Sequence, residues 1–181
     1  MAFTFDLPTE FGIYTAYHTS VGNRVIHWIT TISLLVCLRI FFFPFSLNLF
    51  GFTVSPSDFL FLITIAYYVA TKEVFITVIM VVWICFLHLI SVQIYTSFIP
   101  PYHIIWLLLT ILSFLIQVGV GHRVFEGTDN FTNAVQGFVA FGYFGPTLEG
   151  EIFRLFPAKY EKLKKSAATQ TLIRENDHKR K

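Results

Sequence analysis

The chain has 181 residues, enough for one domain with a tail, and its formal net charge of +2 is too unevenly placed to identify a partner by itself. Hydrophobic residues make up 55% and charged residues 13%, the latter about half of the roughly 25% usual in soluble domains. With 22 phenylalanines and a mean hydropathy of +0.64, this composition excludes an ordinary water-soluble domain and points to a polytopic membrane protein.

The first 22 residues mix Asp6, Glu10, threonines and tyrosines, so no cleavable signal peptide is expected. Pro8-Thr9-Glu10 should begin a short helix on which Tyr14 and His18 share a face. Gly22 should break that helix, with Asn23 as the N-cap of the next. Val25 to Phe43 is almost wholly apolar and about long enough for a ~30 Å hydrocarbon core; Pro44 closes it. Cys37 and Cys85 lie inside apolar runs and read as core residues, not as a disulfide or zinc site. Phe45 to Ser57 reads as a re-entrant or lumenal stretch. Ser57-Asp58 should cap a second apolar segment that reaches Ala70, short for a full crossing. After the polar turn Thr71-Lys72-Glu73, Val74 to Thr96 makes a third span, followed by Pro100-Pro101. His103 to Val120 makes the fourth and stops at Gly121-His122-Arg123.

Phe131 to Phe156, interrupted by Gly137, Gly142, Gly145 and Pro146, reads as an interfacial or half-inserted helix. From Ala158 the chain is polar and basic, a solvated tail with helical character near Lys159 to Lys165. The expected fold is all-α: a polytopic membrane helix bundle with about four transmembrane spans plus short interfacial helices. Residues 1–157 form the membrane-embedded domain and 158–181 a basic cytoplasmic tail. The lysines and arginines from Lys159 to Lys181 put that tail on the cytoplasmic side, and four crossings return the N-terminus, with Arg24, to the same side. Lys72 and Arg123 fall there too.

This topology sorts the histidines. His18 and His27 precede and open the first span, and His122 ends the fourth, all on one face of the membrane. A turn between His18 and His27 lets both face one point, which a nine-residue spacing on a straight helix forbids. Glu126, four residues after His122, shares its face and adds a carboxylate. Asn23 and Tyr17 stand beside the same cluster, and Arg24 and Arg123 suit either a substrate carboxylate or headgroup anchoring. Imidazoles with a carboxylate suit Fe, Zn, Ni or Cu, and the spacing alone does not choose among them. His88 lies about 21 Å into the third span at 1.5 Å per residue. It is either a buried contact between helices or an intramembrane functional group. His103 reads as interfacial. No G-x-S-x-G, Gly-rich phosphate loop or H-E-x-x-H is present, nor are the H-x-x-H-H boxes of di-iron membrane desaturases. The basic tail lacks interleaved aromatics, so attraction to anionic lipid is expected there and nucleic acid is not.

Tyr17-His18, Asn23 and His27 at the start of an apolar helix resemble the N-terminal motif of the Mpo1-like (DUF962) family. Gly121-His122-Arg123-Val124-Phe125-Glu126 is similar to its G-H-x-x-F-E motif, and Asn133 to Gln136 to its N-x-x-Q segment. The resemblance spans roughly residues 10 to 148. Family members usually carry a Gln four residues before the second motif's histidine; here Val118 fills that slot and Gln117 stands one place earlier. Gly127 to Asn130 replaces the usual Pro-Ala, and Trp28 to Thr31 replaces a usual Gly and Pro.

The resemblance implies an endoplasmic-reticulum dioxygenase that uses Fe(2+) and O2 for the α-oxidation of 2-hydroxy fatty acids in phytosphingosine (sphingolipid) breakdown. His18, His27 and His122 would be its metal ligands, and Glu126 a fourth ligand or a partner of His122. Tyr17 and Asn23 would support the site. Two other classes fit the same residues: a non-enzymatic membrane scaffold of this fold, and a metal or proton carrier working through His88.

Overall fold

The computed structural model describes residues 6–98, 103–127, 156, 158 and 161–179. Helix α1 (Leu7–Ala16) begins where the Asp6 carboxylate accepts from the Thr9 N–H at 3.3 Å, with Pro8 in the first turn. Its Leu7, Phe11 and Tyr14 side chains are buried. The central helix α2 (Val21–Phe42) runs on into a 3-10 turn (Phe43–Phe45) around Pro44. Its N-cap is Ser20, so Gly22 and Asn23 lie inside the helix and neither breaks nor caps it. The physical reason is tertiary. A Cβ at Gly22 would stand 2.3 Å from the Phe125 ring, and the Asn23 side chain reaches sideways instead of back to its own helix.

The stretch after α2 forms a short antiparallel hairpin, β1 (Leu47–Leu49) and β2 (Phe52–Val54), with Leu47 opposite Val54. Its two turn residues, Phe50 and Gly51, both have positive φ (52° and 85°), as a two-residue hairpin turn of this hand requires. Helix α3 (Pro56–Ala70) is capped by Ser55, two residues earlier than expected. The Asp58 carboxylate accepts from the Ser55 N–H at 2.7 Å, and Pro56 takes the first helical position. Helix α4 (Val74–Ser97) follows the Thr71-Lys72-Glu73 turn. Helix α5 (His103–Ile116) passes directly into a π-helical segment, Gln117–Phe125, so the last span ends at Phe125 and not at Val120.

Among the described residues, three helices are long and apolar enough to cross a membrane: Val21–Phe45, Val74–Ser97 and His103–Phe125. α3 is apolar but has only 15 residues, about 22 Å at 1.5 Å per residue. The start of α2 meets the end of the π-helical segment, so the chain makes an even number of passes between them, and α3 has to serve as one. The chain is therefore a helical membrane bundle. Leu108, Leu112 and Leu115 on the last span are exposed, an apolar surface suited to lipid tails. Inside, Ser113 donates to Ser33 across helices at 3.0 Å. The Thr30, Ser91 and Thr110 hydroxyls bond carbonyls four residues back, so no water is needed for them.

The C-terminal segment departs from the expected solvated tail. Helix α6 (Glu161–Lys179) is longer than the expected Lys159 to Lys165 and packs along α1. Leu163 is 4% exposed and joins the Leu7, Phe11 and Tyr14 cluster. Gly12 of α1 lets the two helices close, because a Cβ there would stand 2.8 Å from Ser166 Oγ. The expected helix over Phe131 to Phe156 falls outside the described residues apart from Phe156 itself.

Far from the polar end of the bundle, Arg39 of α2 is 1% exposed. Its guanidinium lies 2.5 Å from Asp58 of α3, donates to His88 Nδ1 of α4, and sits over the Phe61 ring at 4.7 Å. His88 is thus a contact between helices. Removing the counter-charge while keeping the cap, Asp58→Asn, should cost about 3 kcal/mol, since it strands a buried guanidinium. Thermal unfolding in detergent reads this as a lower midpoint, and adding Arg39→Met should recover most of the loss.

Candidate metal centre

Three imidazoles meet at the polar end of the bundle. His18 follows α1, His27 lies in the second turn of α2, and His122 comes from the π-helical segment. All three are buried. His18 Nε2 stands 3.2 Å from His27 Nε2, which stands 3.1 Å from His122 Nε2. Their ligand nitrogens all lie within 4.8 Å of one another. With metal–nitrogen bonds of ~2.0–2.1 Å, neighbouring ligands of one ion sit about 3.0 Å apart at right angles and about 3.4 Å apart in a tetrahedron. The His18–His27 and His27–His122 separations lie in that range.

The local chemistry prepares His18 for that role. Its ring stacks on Tyr14 with centroids 3.9 Å apart, and Nδ1 lies 2.7 Å from the Tyr14 carbonyl. A carbonyl only accepts, so the proton is on Nδ1 and the Nε2 lone pair faces the cluster. Burial first, and then the neighbouring His27, hold the imidazole well below the ordinary histidine range. These outweigh the Tyr14 carbonyl, which favours the charged form, and His18 is neutral at pH 7.

His27 is held from behind by Gln117, whose amide nitrogen is 2.6 Å from His27 Nδ1 and 3.1 Å from Thr31 Oγ1. The Thr31 hydroxyl can donate or accept, so either orientation of the amide satisfies it. With Oε1 toward the ring, Gln117 accepts from Nδ1–H and leaves the His27 Nε2 lone pair for a metal. With the nitrogen toward the ring, His27 carries its proton on Nε2, between the other two imidazoles. Gln117 was not among the residues that sequence reading singled out, because four residues before His122 stands Val118. On an α-helix, a spacing of five falls about 140° off the histidine's direction. The i→i+5 bonding of the π-helix stacks the two, so Gln117 takes the place that Val118 vacates.

Glu126 does not join the imidazoles as a member of the cluster. Its carboxylate accepts from the Ser20 N–H at 2.7 Å, Thr19 Oγ1 at 2.8 Å and Asn23 Nδ2 at 3.2 Å, with Arg174 Nη1 of α6 at 3.4 Å. It accepts from the N–H of Ser20, the N-cap residue, whose own side chain makes no capping bond. Asn23 ties this carboxylate to the Tyr17 carbonyl at 3.2 Å. The Tyr17 ring lies under Arg174, 4.9 Å from its centroid, and Arg174 also donates to the Ala16 carbonyl. Arg24 lines a cleft beside His18, whereas Arg123 is exposed. His103 is exposed, with its ring 6.4 Å from that of Phe41. The His178 side chain and the Asn133 to Gln136 motif lie outside the described residues.

Comparison with known proteins returns nothing to place beside this geometry: no family model, no curated protein and no solved structure matches the chain.

Gly121 makes the close approach of α2 to the last span possible. A Cβ there would lie 2.6 Å from Asn23 Oδ1 and 3.5 Å from His27 Nε2. Asn23 is fully buried and its Nδ2 is held by both Tyr17 and Glu126, which leaves Oδ1 little room to give way. Gly121→Ala should therefore lower stability by about 1–3 kcal/mol through overpacking. Gly119→Ala, with nothing within 4 Å of the new methyl, is the control and should leave the unfolding midpoint in place.

Proposed function

We propose that the protein is an iron(II)-dependent dioxygenase of the endoplasmic-reticulum membrane that shortens 2-hydroxy fatty acids by one carbon. The observation that supports this reading most directly is the buried trio His18, His27 and His122, with ligand nitrogens within 4.8 Å. The resemblance of the two histidine motifs to the Mpo1-like family supplies the metal and the substrate class. The overall change, R–CH(OH)–COOH + O2 → R–COOH + CO2 + H2O, balances with O2 as the sole oxidant. The hydroxyl-bearing carbon loses three electrons, the carboxyl carbon loses one, and O2 takes up four.

Iron held by three imidazoles, with positions left open, supplies Lewis acidity and reactivity toward O2. The chain's own residues do the rest. His18 is neutral and presents Nε2, and Gln117 turns Oε1 to His27 Nδ1–H. Glu126 holds the start of α2 against the end of the last span. Burial of the trio limits access of water to the reacting acid. In this reading the basic C-terminal segment and the N-terminus face the cytoplasm, and the product enters sphingolipid breakdown.

A second reading rests on the other orientation of the Gln117 amide. His27 Nε2–H is then shared with its neighbours, and the cluster is a satisfied hydrogen-bonded joint in a non-enzymatic scaffold. Anaerobic reconstitution with iron(II), followed by O2 and a 2-hydroxy fatty acid, separates the two. The enzyme takes up stoichiometric iron and releases the acid one carbon shorter, and His18→Ala, His27→Ala and His122→Ala each lose both. A protein that retains no metal in any preparation is the scaffold.

Gln117 gives a finer measurement. Gln117→Leu should weaken iron affinity by roughly 10–100-fold, the usual cost of losing a ligand's hydrogen-bond partner. Gln117→Glu, which can accept from Nδ1–H but not donate, should keep the affinity.

A further inference from the structure

The histidine centre opens on a cleft of about 420 Å3 between α1, the start of α2 and α6. Phe11 and Thr15 line it from α1, His18 and Thr19 from the connection, Arg24 from α2 and Lys164 from α6. The charges that face it are positive. Arg24 and Lys164 are both half-buried, and among the described residues neither has a carboxylate partner. Glu126, at the same end of the bundle, is already taken up by Ser20, Thr19, Asn23 and Arg174. The Thr19 hydroxyl is spent on Glu126, and the Thr15 hydroxyl on carbonyls of its own helix. Two half-buried cations therefore converge with no internal anion to compensate them, on a cavity whose inner wall is a buried imidazole. On α2 next to Arg24, the exposed side chains Val21, Val25 and Ile29 make an apolar stripe at helical spacing.

We infer that this cleft is the seat of the carboxylate of an amphiphilic acid. Arg24 grips the carboxylate through its planar fork and Lys164 acts as a point charge, while the acyl chain lies along the Val21–Val25–Ile29 stripe. α6 is then a wall of the binding site and not a lipid-attracting tail. That the acid is a fatty acid rests on the reading above; the anion site itself rests on the cleft and its two cations.

The test uses metal-free full-length protein in nanodiscs of neutral phosphatidylcholine, with radiolabelled 2-hydroxyhexadecanoic acid and its methyl ester as probes. The acid should bind saturably and the ester at least about tenfold more weakly, since the ester carries no charge to strengthen its hydrogen bonds to the two cations. Lys164→Gln and Arg24→Gln should each weaken acid binding by about tenfold, Lys164→Arg should restore it, and exposed Lys162→Gln should change nothing. In turnover, Lys164→Gln should raise KM and leave kcat unaltered.

Equal binding of acid and ester, or acid binding indifferent to Lys164→Gln, overturns the proposal. So does loss of acid binding when phosphatidylserine replaces part of the phosphatidylcholine, which would make the cleft a headgroup seat. Because no iron is present, the two readings fail separately. Carboxylate selectivity without any iron uptake refutes the oxidation alone, and iron uptake without selectivity refutes the cleft alone.

Discussion

The Glu126 carboxylate is the joint on which the polar end of this bundle depends. Only 2% of its side chain is exposed, yet it accepts from a backbone N–H, a hydroxyl and an amide and faces the Arg174 guanidinium. Those donors come from the α1–α2 connection, from α2 and from α6, while Glu126 itself follows the last span. A buried charge with that many donors is stable where an unpaired one is not. It also stands at the N-terminus of α2, where the helix dipole favours an anion. One carboxylate thus sets where α2 begins, and with it the height of His27 relative to His122.

The rest of the bundle applies the same logic at a second level. Arg39, Asp58 and His88 join α2, α3 and α4 twelve residues further along α2 from His27, about 18 Å away. Between the two layers, the Thr30 and Thr110 hydroxyls are satisfied by their own helices and those of Ser33 and Ser113 by one another. Polar groups are expensive in an apolar solvent, so each pair that must stay together fixes how far one helix slides along the next. A histidine centre held between two such layers needs little reorganisation to accept an ion.

Much of this was legible in the sequence. Long apolar runs located the helices of the bundle to within a few residues, and sorting histidines by the end of the span they occupy brought His18, His27 and His122 together before any coordinates. What escaped has physical causes. Asn23 has the composition of a cap, but α2 has its N-cap at Ser20, and the Asn23 amide instead bridges Tyr17 and the distant Glu126. Gln117 was legible only as a residue one place out of the resembling motif, because sequence does not show where the backbone widens to π. Its signal was the displaced glutamine, five residues before His122 instead of four. α6 escaped because its lysines outweighed Leu163, Ala167, Gln170 and Arg174, which recur at helical spacing on one face. The same charge pattern that suggested a lipid-attracting tail conceals the stripe that packs it against α1.

The central claim, that the three imidazoles share one iron, is tested most directly by X-ray absorption at the iron edge of anaerobically loaded protein. The account predicts nitrogen scatterers at about 2.0–2.2 Å with the outer-shell pattern of several imidazoles, reduced by one imidazole in His122→Ala. An oxygen-only shell without imidazole scattering, or a spectrum that His122→Ala leaves unchanged, would contradict it.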